Sequence, residues 1–510
     1  MSHFVRSMGL ALVLITNANA AKMITSQKYT SYQIPVIPEA SFEDPAYHKE
    51  KKEWVKLKRK LANASSYSGS DLSQDFKKLR DEWLQVKSGD QMEALLSKSH
   101  INYNSYSEDT KYFLAQMHVA LPLRGIVWRL RPLFENSKGF LGNKSTHVIA
   151  VQAVRNTITS LKMFLPTNQT DAAIQYFTEP SVEMSKQDQF KSIAEFQKFM
   201  VDAMVPVINE SAGRITVLAK NSTDKVFVWD NKMAFGRGTF EDEMNRFVGN
   251  GPAEINFAIA TLYRAAHNIL VYCAYNQDHS IKMAGEIGSH FGIDSSIFSS
   301  RKNDLGMTDQ EKIKLFRSAI QKNHYLELRN YDGSQYGSLL LKQAYTALKN
   351  SVVFSERSYE YLQGQDSSKS MSLNPILFQP EIAPKLDKGL KNIKAVVSGP
   401  AEVRDPVTGD TVTLNLPAFY KEPPQSLGQL MAIDFESGDI DKKIKNKKGE
   451  TLVVRNYLHG RSIAWDNSAW KKYVPSAADK KPNYMSEARR IIKYSLGTSM
   501  VFGLPELFVH

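Results

Sequence analysis

Cysteine is nearly absent from this sequence. Its 510 residues include one cysteine, Cys273, which cannot form a disulfide within the chain. Apolar residues make up 42% and charged residues 23% of the chain, a balance that is typical of globular proteins and excludes extensive disorder. A chain of this length is expected to form about two to four domains. We therefore expect the fold to depend on apolar cores and not on covalent cross-links.

The usual catalytic signatures are also missing. No G-x-S-x-G, H-E-x-x-H or complete G-x-x-x-x-G-K-[ST] string occurs in the sequence. Two matches to S-x-x-K, beginning at Ser222 and Ser299, lack the S-D-N and K-T-G strings that accompany this motif in the serine enzymes that use it. A serine needs such partners to become a nucleophile, so neither residue is a candidate.

The sequence has few apolar runs, and the one nearest the N terminus is short. Residues 1–20 read MSHFVRSMGLALVLITNANA, in which Arg6 precedes an apolar run at Met8–Ile15. This run is shorter than the roughly 20 residues that cross a bilayer, and Ala18 and Ala20 fit a signal-peptidase cleavage site. We predict a cleavable signal peptide and export to a bacterial periplasm or cell envelope, with secretion from a eukaryotic cell as the alternative.

A second apolar segment, residues 252–275, is long enough to be mistaken for a membrane span. Arg264 and His267 lie near its centre, and a charged residue at that depth of a bilayer is costly. We therefore predict a buried helix here and no transmembrane span after signal cleavage. His267 is expected to be a core histidine with polar partners, and a catalytic or ligand-binding role is the alternative.

The rest of the chain divides into segments of different composition. Residues 21–45 are punctuated by prolines and are expected to run extended. Residues 46–362 carry apolar residues at helical spacing, which predicts a bundle-like helical region with one inserted β-hairpin near 214–229. A polar, serine-rich linker at 363–374 leads to residues 375–510, which we predict to be a smaller mixed α+β region. The predicted fold class is therefore mainly α.

The inserted hairpin is predicted from alternation. Ile215, Val217 and Ala219 alternate with other residues, turn-forming residues follow at 221–224, and a second alternation begins at Val226. In the C-terminal region, similar signals predict another hairpin at 401–416 and a strand within 450–458, and helical periodicity predicts a late helix at 485–496.

Three candidate metal ligands occur in one segment: His279, Glu286 and His290. If the segment is helical, their side chains share a face, because residues 7 and 11 positions apart lie close to one line along the axis. Imidazole and carboxylate groups are good ligands for zinc or iron, so a divalent metal is the candidate cofactor. His279 lies about 10.5 Å along the axis from Glu286 and reaches the same ion only if the helix bends. The alternative is a polar helix face.

A cluster of aromatic and polar residues near the C terminus is the candidate ligand-binding surface. It comprises Arg461, Trp465, Asp466, Trp470 and Tyr473. Flat apolar rings beside hydrogen-bonding groups suit sugars or peptides when they are exposed. The alternative is that the rings fill the C-terminal core, because tryptophan is usually well buried.

The net charge of +12 and the pI near 9.3 favour anionic partners. Outside the cytoplasm these are anionic envelope glycans and lipid surfaces, so no nucleic acid is expected. One predicted helix has Trp54, Leu57 and Leu61 on one face. Its other faces carry the candidate anion-contact residues Lys51, Lys52, Lys56 and Lys58. The alternative is an ordinary solvated helix that is docked by Trp54.

Two functional hypotheses follow from these features. The first is an exported, periplasmic or envelope-associated binding or scaffold protein whose basic surface contacts anionic envelope material. The second is a metal-dependent hydrolase of cell-wall or other extracellular polymers that acts through His279, Glu286 and His290. The first requires only an exposed patch, whereas the second requires polar groups that converge in a cleft.

Overall fold

The protein is represented by a computed structural model. The structure describes residues 34–41, 47, 67–135, 167–221, 226–233, 246–278, 314, 318, 326–330, 335–363, 383–405, 408–430, 432–436, 442–445, 449–454, 462–481 and 484–495. These residues are mainly helical and include four antiparallel sheets of two strands each. The predicted fold class, mainly α with a smaller mixed C-terminal region, is confirmed.

The α-helices of the described residues are α1 (Gln74–Gln85), α2 (Gly89–Leu96), α3 (Glu108–His118), α4 (Ile126–Glu135), α5 (Thr167–Thr178), α6 (Ile193–Phe199), α7 (Val205–Asn221), α8 (Pro252–Ala274), α9 (Tyr336–Leu362), α10 (Ala383–Ser398), α11 (Leu416–Lys421), α12 (Asn467–Trp470) and α13 (Tyr484–Ser495). A π-helical turn, Met200–Met204, joins α6 to α7.

The strands are β1 (Phe227–Asp230), β2 (Phe247–Asn250), β3 (Ala401–Arg404), β4 (Thr411–Leu414), β5 (Ala432–Glu436), β6 (Lys442–Lys445), β7 (Thr451–Val454) and β8 (Ser462–Trp465). β1 pairs with β2, β3 with β4, β5 with β8 and β6 with β7. The β6–β7 pair is therefore nested, along the chain, between the paired strands β5 and β8.

Three long helices form the centre of the molecule. α8 packs along α9 and also against α7. Leu270 of α8, Leu348 of α9 and Ile215 of α7 are fully buried. Burial of each such side chain stabilises the fold by about 1.5–3 kcal/mol. The segment 252–275 is thus a core helix as predicted, and no helix among the described residues is both long and apolar enough to cross a membrane.

The start of α9 approaches the end of α8 closely, and this contact requires a glycine. A Cβ atom at Gly337 would lie 2.5 Å from the carbonyl oxygen of Ala274, which is closer than any side chain tolerates. The amide of Gly337 instead donates to the carbonyl of Arg329, and the amide of Arg329 donates to the carbonyl of Ala274. The turn before α9 is therefore fixed to the end of α8.

The hairpin that the sequence predicts near 214–229 is wrong in its first strand. Residues up to Asn221 belong to α7, and only the second alternation forms a strand, β1. β1 pairs with β2, which begins at Phe247. Five alternating residues are too few to exclude a helix, and the longer pattern that includes buried Ile208, Ala212 and Ile215 is helical.

The other secondary-structure predictions in the C-terminal region agree with the structure. The hairpin predicted at 401–416 is β3–β4, with Val403 opposite Val412. The strand predicted within 450–458 includes β7, and the late helix is α13. The linker predicted at 363–374 lies, apart from its first residue, outside the described residues.

Candidate functional site

Several of the sequence-predicted site residues lie outside the described residues. These are the candidate metal ligands His279, Glu286 and His290, the candidate anion contacts Lys51, Lys52, Lys56 and Lys58, and one residue of the aromatic cluster, Arg461. Within the part of the chain that the structure describes, no group of three or more His, Cys, Asp or Glu side chains is arranged to hold a metal ion.

The aromatic cluster is part of the C-terminal core, which corrects its interpretation as an exposed binding surface. Trp465, Trp470 and Tyr473 are all buried, and the two indole rings meet edge to face at 6.1 Å. Trp465 Nε1 donates to Ser486 Oγ at 2.9 Å. Asp466 is exposed, and its carboxylate accepts from two amides at the start of α12 as a helix cap. The rings face inward because their apolar area packs against α13 and the neighbouring turns.

His267 is a core histidine in α8. Its Nε2 lies 2.8 Å from the Tyr420 hydroxyl and its Nδ1 lies 3.0 Å from Asn268 Oδ1. Burial, with a smaller contribution from the nearby Arg264 charge, lowers the pKa of His267 to about 4, so the imidazole is neutral at neutral pH. Both ring nitrogens are hydrogen-bonded within the protein, which agrees with the structural interpretation made from the sequence.

A closed polar ring joins α3 to α7, and the sequence did not predict it. Ser99 Oγ lies 3.1 Å from His118 Nδ1, and His118 Nε2 lies 3.1 Å from Glu210 Oε2. Glu210 pairs with Arg214, whose Nη1 donates at 2.7 Å to the carbonyl of Ser99 and completes the ring. Its members come from three separate elements, so no local spacing identifies them.

The charges of this ring are arranged around one carboxylate. The hydrogen bond from His118, together with the charge of Arg214, lowers the pKa of Glu210 to about 2. Burial lowers the pKa of His118, and it lowers that of His100, whose ring meets the His118 ring edge to face at 4.5 Å. The closed polar ring of residues is therefore suited to neutral histidines and an ionised glutamate.

Ser99, His118 and Glu210 contain the residue types of a hydrolytic triad, but their burial is the reverse of what catalysis needs. A catalytic serine must be open to substrate. Ser99 and His118 are fully buried, whereas the Glu210 side chain is 47% exposed. Arg214 also holds the backbone of Ser99 in place. The ring therefore ties the Ser97–Ser99 turn to α3 and α7.

An open polar surface lies on the hairpin formed by β6 and β7. Residues 442–454 are named here the lysine hairpin. Lys443 lies opposite Val453, and Lys445 opposite Thr451. Alternate residues of a strand share a face, so these four side chains are neighbours, and all four are exposed. Residues 442–450 contain five lysines and one glutamate.

The turn of the lysine hairpin contains Gly449, whose φ of +79° is a left-handed value that favours glycine. The two lysines on the exposed face are two residues apart, or roughly 6.6 Å along the strand. Val453, opposite Lys443, is 45% exposed. The surface thus presents ammonium groups beside a small apolar patch. Five lysines within residues 442–448, followed by Gly449, are the sequence signal for it.

Comparison with family models, with curated proteins and with solved structures finds no match to this chain.

Proposed function

We propose that the protein is an exported, envelope-associated binding or scaffold protein that contacts anionic envelope material through the lysine hairpin. The observation that carries this proposal is the exposed face of β6–β7, with Lys443 and Lys445 in the described part of the chain. The net charge of +12 supports it, because a basic protein is drawn to an anionic surface before contact is made.

The attraction of the lysine hairpin to an anionic membrane has a known order of magnitude. Each lysine close to an anionic membrane leaflet contributes about 1 kcal/mol, and the lysine hairpin has five lysines in nine residues. Screening shortens the range of this attraction to about 8 Å at physiological salt, so only residues that reach the surface contribute. Lys443 and Lys445 are both exposed on one face of the hairpin, so they can reach such a surface together. The exposed Val453 adds an apolar contact at the same face.

The proposal is tested by co-sedimentation with lipid vesicles at increasing salt. We expect binding to vesicles that contain phosphatidylglycerol, weak binding to phosphatidylcholine vesicles, and release by salt. The double variant Lys443→Glu/Lys445→Glu should bind roughly 30-fold more weakly, because loss of two lysine contacts alone removes about 2 kcal/mol. A soluble anionic polysaccharide added as competitor distinguishes a glycan from a lipid as the preferred anion.

A charge-matched control separates the lysine hairpin from net charge. Lys388 and Lys391 of α10 are both exposed, and Lys388→Glu/Lys391→Glu changes the net charge by the same amount. This control should retain most of the binding. An equal loss in both double variants, or binding that neither salt nor the variants change, would contradict the proposal.

A further inference from the structure

The helix α7 exposes one narrow face along most of its length. The exposed residues of this face are Pro206, Glu210, Gly213, Val217 and Lys220. At about 100° per residue, all five lie within about 40° of one line along the helix. They are separated by four, three, four and three residues, which is the spacing of the contact positions in a pair of packed helices. The other side of α7 packs against α3 and α8.

An exposed apolar side chain lies on one flank of this face. Asn209, about 60° from the centre line of the face, donates through Nδ2 to the carbonyl of Val36 at 3.3 Å. Val36 is 77% exposed. Residues 34–41 are also held by α9, because the amide of Ile37 donates to Gln343 Oε1 at 2.8 Å. The flank is therefore fixed to two helices.

The opposite flank also presents an apolar side chain. Arg214, about 80° from the centre line, donates to the carbonyl of Ser99, and its guanidinium lies 4.3 Å from the centre of the Tyr103 ring. Ile101, two residues after Ser99, is 62% exposed, and Val217 on the face itself is 56% exposed. The face of α7 is therefore an open apolar strip with a charged residue toward each end.

Gly213 lies at the middle of the face, and packing within the chain does not require a glycine there. A Cβ atom at this position would meet no other atom within 4 Å. Glycine inside a helix destabilises it relative to alanine. The absence of a side chain leaves a hollow on an exposed helix face, and a facing helix can place a side chain in such a hollow.

The face is complementary to itself when two copies of α7 lie antiparallel. With a two-fold axis midway between Gly213 and Val217, the valine of each copy lies opposite the glycine of the other. Glu210 and Lys220 have the same midpoint in the sequence, so this register also places Glu210 opposite Lys220 of the other copy. A parallel pair would place like charges opposite each other, which is unfavourable.

We propose that the exposed face of α7 is a contact surface between two copies of this chain, with the two α7 helices antiparallel. Val217 of each copy fills the hollow at Gly213 of the other, and a Glu210–Lys220 ion pair lies on each side of this contact. The two flanking apolar side chains lie at its edges. This surface is separate from the lysine hairpin, and the inference does not rest on the function proposed for that hairpin.

Glu210 can form this ion pair without leaving the closed polar ring. Its carboxylate already accepts from His118 and Arg214. An ionised carboxylate has about four acceptor sites, and the Glu210 side chain is 47% exposed. Exposed ion pairs of this kind contribute more to the choice of orientation than to affinity.

The contact is small, so the association is reversible and depends on concentration. Residues 210–220 span about 15 Å of helix. Stable interfaces bury roughly 1,200–2,000 Å² in total, and one helix face of this length covers less. We therefore expect monomer in dilute solution and dimer at high protein concentration.

Disulfide trapping of the full chain tests the orientation. One chain carries Gly213→Cys, a second carries Val217→Cys, and a mild oxidant is added to each alone and to their mixture. The antiparallel register predicts about tenfold more covalent dimer from the mixture, because only there do the two cysteines lie opposite each other. Gly213→Cys mixed with Lys391→Cys, an exposed position on α10, is the control, and Cys273 is buried. Equal yields from all mixtures, or the highest yield from Val217→Cys alone, would overturn the proposal.

Sedimentation equilibrium tests the surface without cysteines. Val217→Glu should raise the dissociation constant of the dimer at least about tenfold, because one apolar contact is lost from each copy. Val453→Glu in the lysine hairpin is the matched control and should leave the constant unchanged. Both valines are exposed in the single chain, so both variants should fold, which circular dichroism checks. A natural chain that stays monomeric at millimolar concentration, or equal constants for Val217→Glu and the natural chain, would contradict the proposal.

Discussion

The hairpins β3–β4 and β6–β7 have the same size and opposite surroundings. Both pair two strands of four residues, and both have a glycine with positive φ in or beside the turn, Gly409 and Gly449. The first hairpin packs against α10 and α13, and its inward side chains are fully buried. These are Val403, Val412 and Leu414. The second hairpin turns lysines, Thr451 and Val453 to solvent.

The difference between the two hairpins lies in what packs against them. An isolated two-stranded hairpin is marginal in water, and packing against helices supplies what it lacks. β3–β4 is further held by a buried ion pair between Asp405 at its turn and Arg490 of α13. It is therefore part of the scaffold. The exposed face of β6–β7 adds little to stability, as the contact with anionic material proposed above requires.

The largest expected effect is the loss of the buried ion pair. Arg490→Met leaves the charge of the buried Asp405 carboxylate without an opposite charge. This should lower the free energy of unfolding by about 3–5 kcal/mol. Lys443→Met in the exposed hairpin should change it by less than about 0.5 kcal/mol. Urea unfolding measures both values, and Arg490→Met combined with Asp405→Asn should recover part of the loss. If Arg490→Met and Lys443→Met lowered the free energy of unfolding equally, the distinction between the two hairpins would be lost.

Acid should affect the helical core before it affects the lysine hairpin. His267 has a folded-state pKa of about 4, below the ordinary value near 6.5, so unfolding takes up a proton between these values. Stability should therefore fall as the pH drops from about 6.5 to 4, by up to about 3 kcal/mol from this residue. His100 and His118, whose pKa values are also lowered, contribute in the same direction.

His267→Gln should weaken this pH dependence without abolishing it, as measured by thermal unfolding across the range. Vesicle binding at pH values where the chain stays folded should be unchanged, because residues 442–454 contain no histidine. A stability curve of equal slope in the variant and the natural chain would show that His267 is not the group that titrates.

The smallest expected effect separates the two turns. Gly409→Ala and Gly449→Ala each place a side chain at a positive φ, at a cost of about 1 kcal/mol. In β3–β4 this cost should appear in global unfolding, because the hairpin is part of the core. In β6–β7 it should appear as faster local amide exchange with an unchanged unfolding midpoint. Faster exchange confined to β3–β4 would reverse the assignment.

Sequence reasoning succeeded where a pattern was long and self-contained. The burial of α8 followed from Arg264 and His267 within an apolar segment, and β3–β4 followed from alternation around a turn. It failed for residues 214–221, because a short alternation fits a helix face as well as a strand. The burial of Trp465 and Trp470 was left open, because packing depends on elements that are distant in sequence.

The candidate sites were harder to predict than the fold for the same reason. The ring of Ser99, His118 and Glu210 joins residues that are 19 and 92 positions apart. No local spacing could bring them to notice. The lysine hairpin had a local signal, a run of lysines around a turn, but the exposure that makes it a surface is a property of the folded chain.

The docking of residues 34–41 on α9 sets an order of events in folding. Ile37 and Gln343 are 306 positions apart, and Ala40 and Asn350 are 310 apart. A chain made from its N terminus produces this segment first and its acceptor helix hundreds of residues later. Contacts of such long range also form slowly, because a large loop must close before they contribute. Residues 34–41 are therefore made early and are among the last to reach their place.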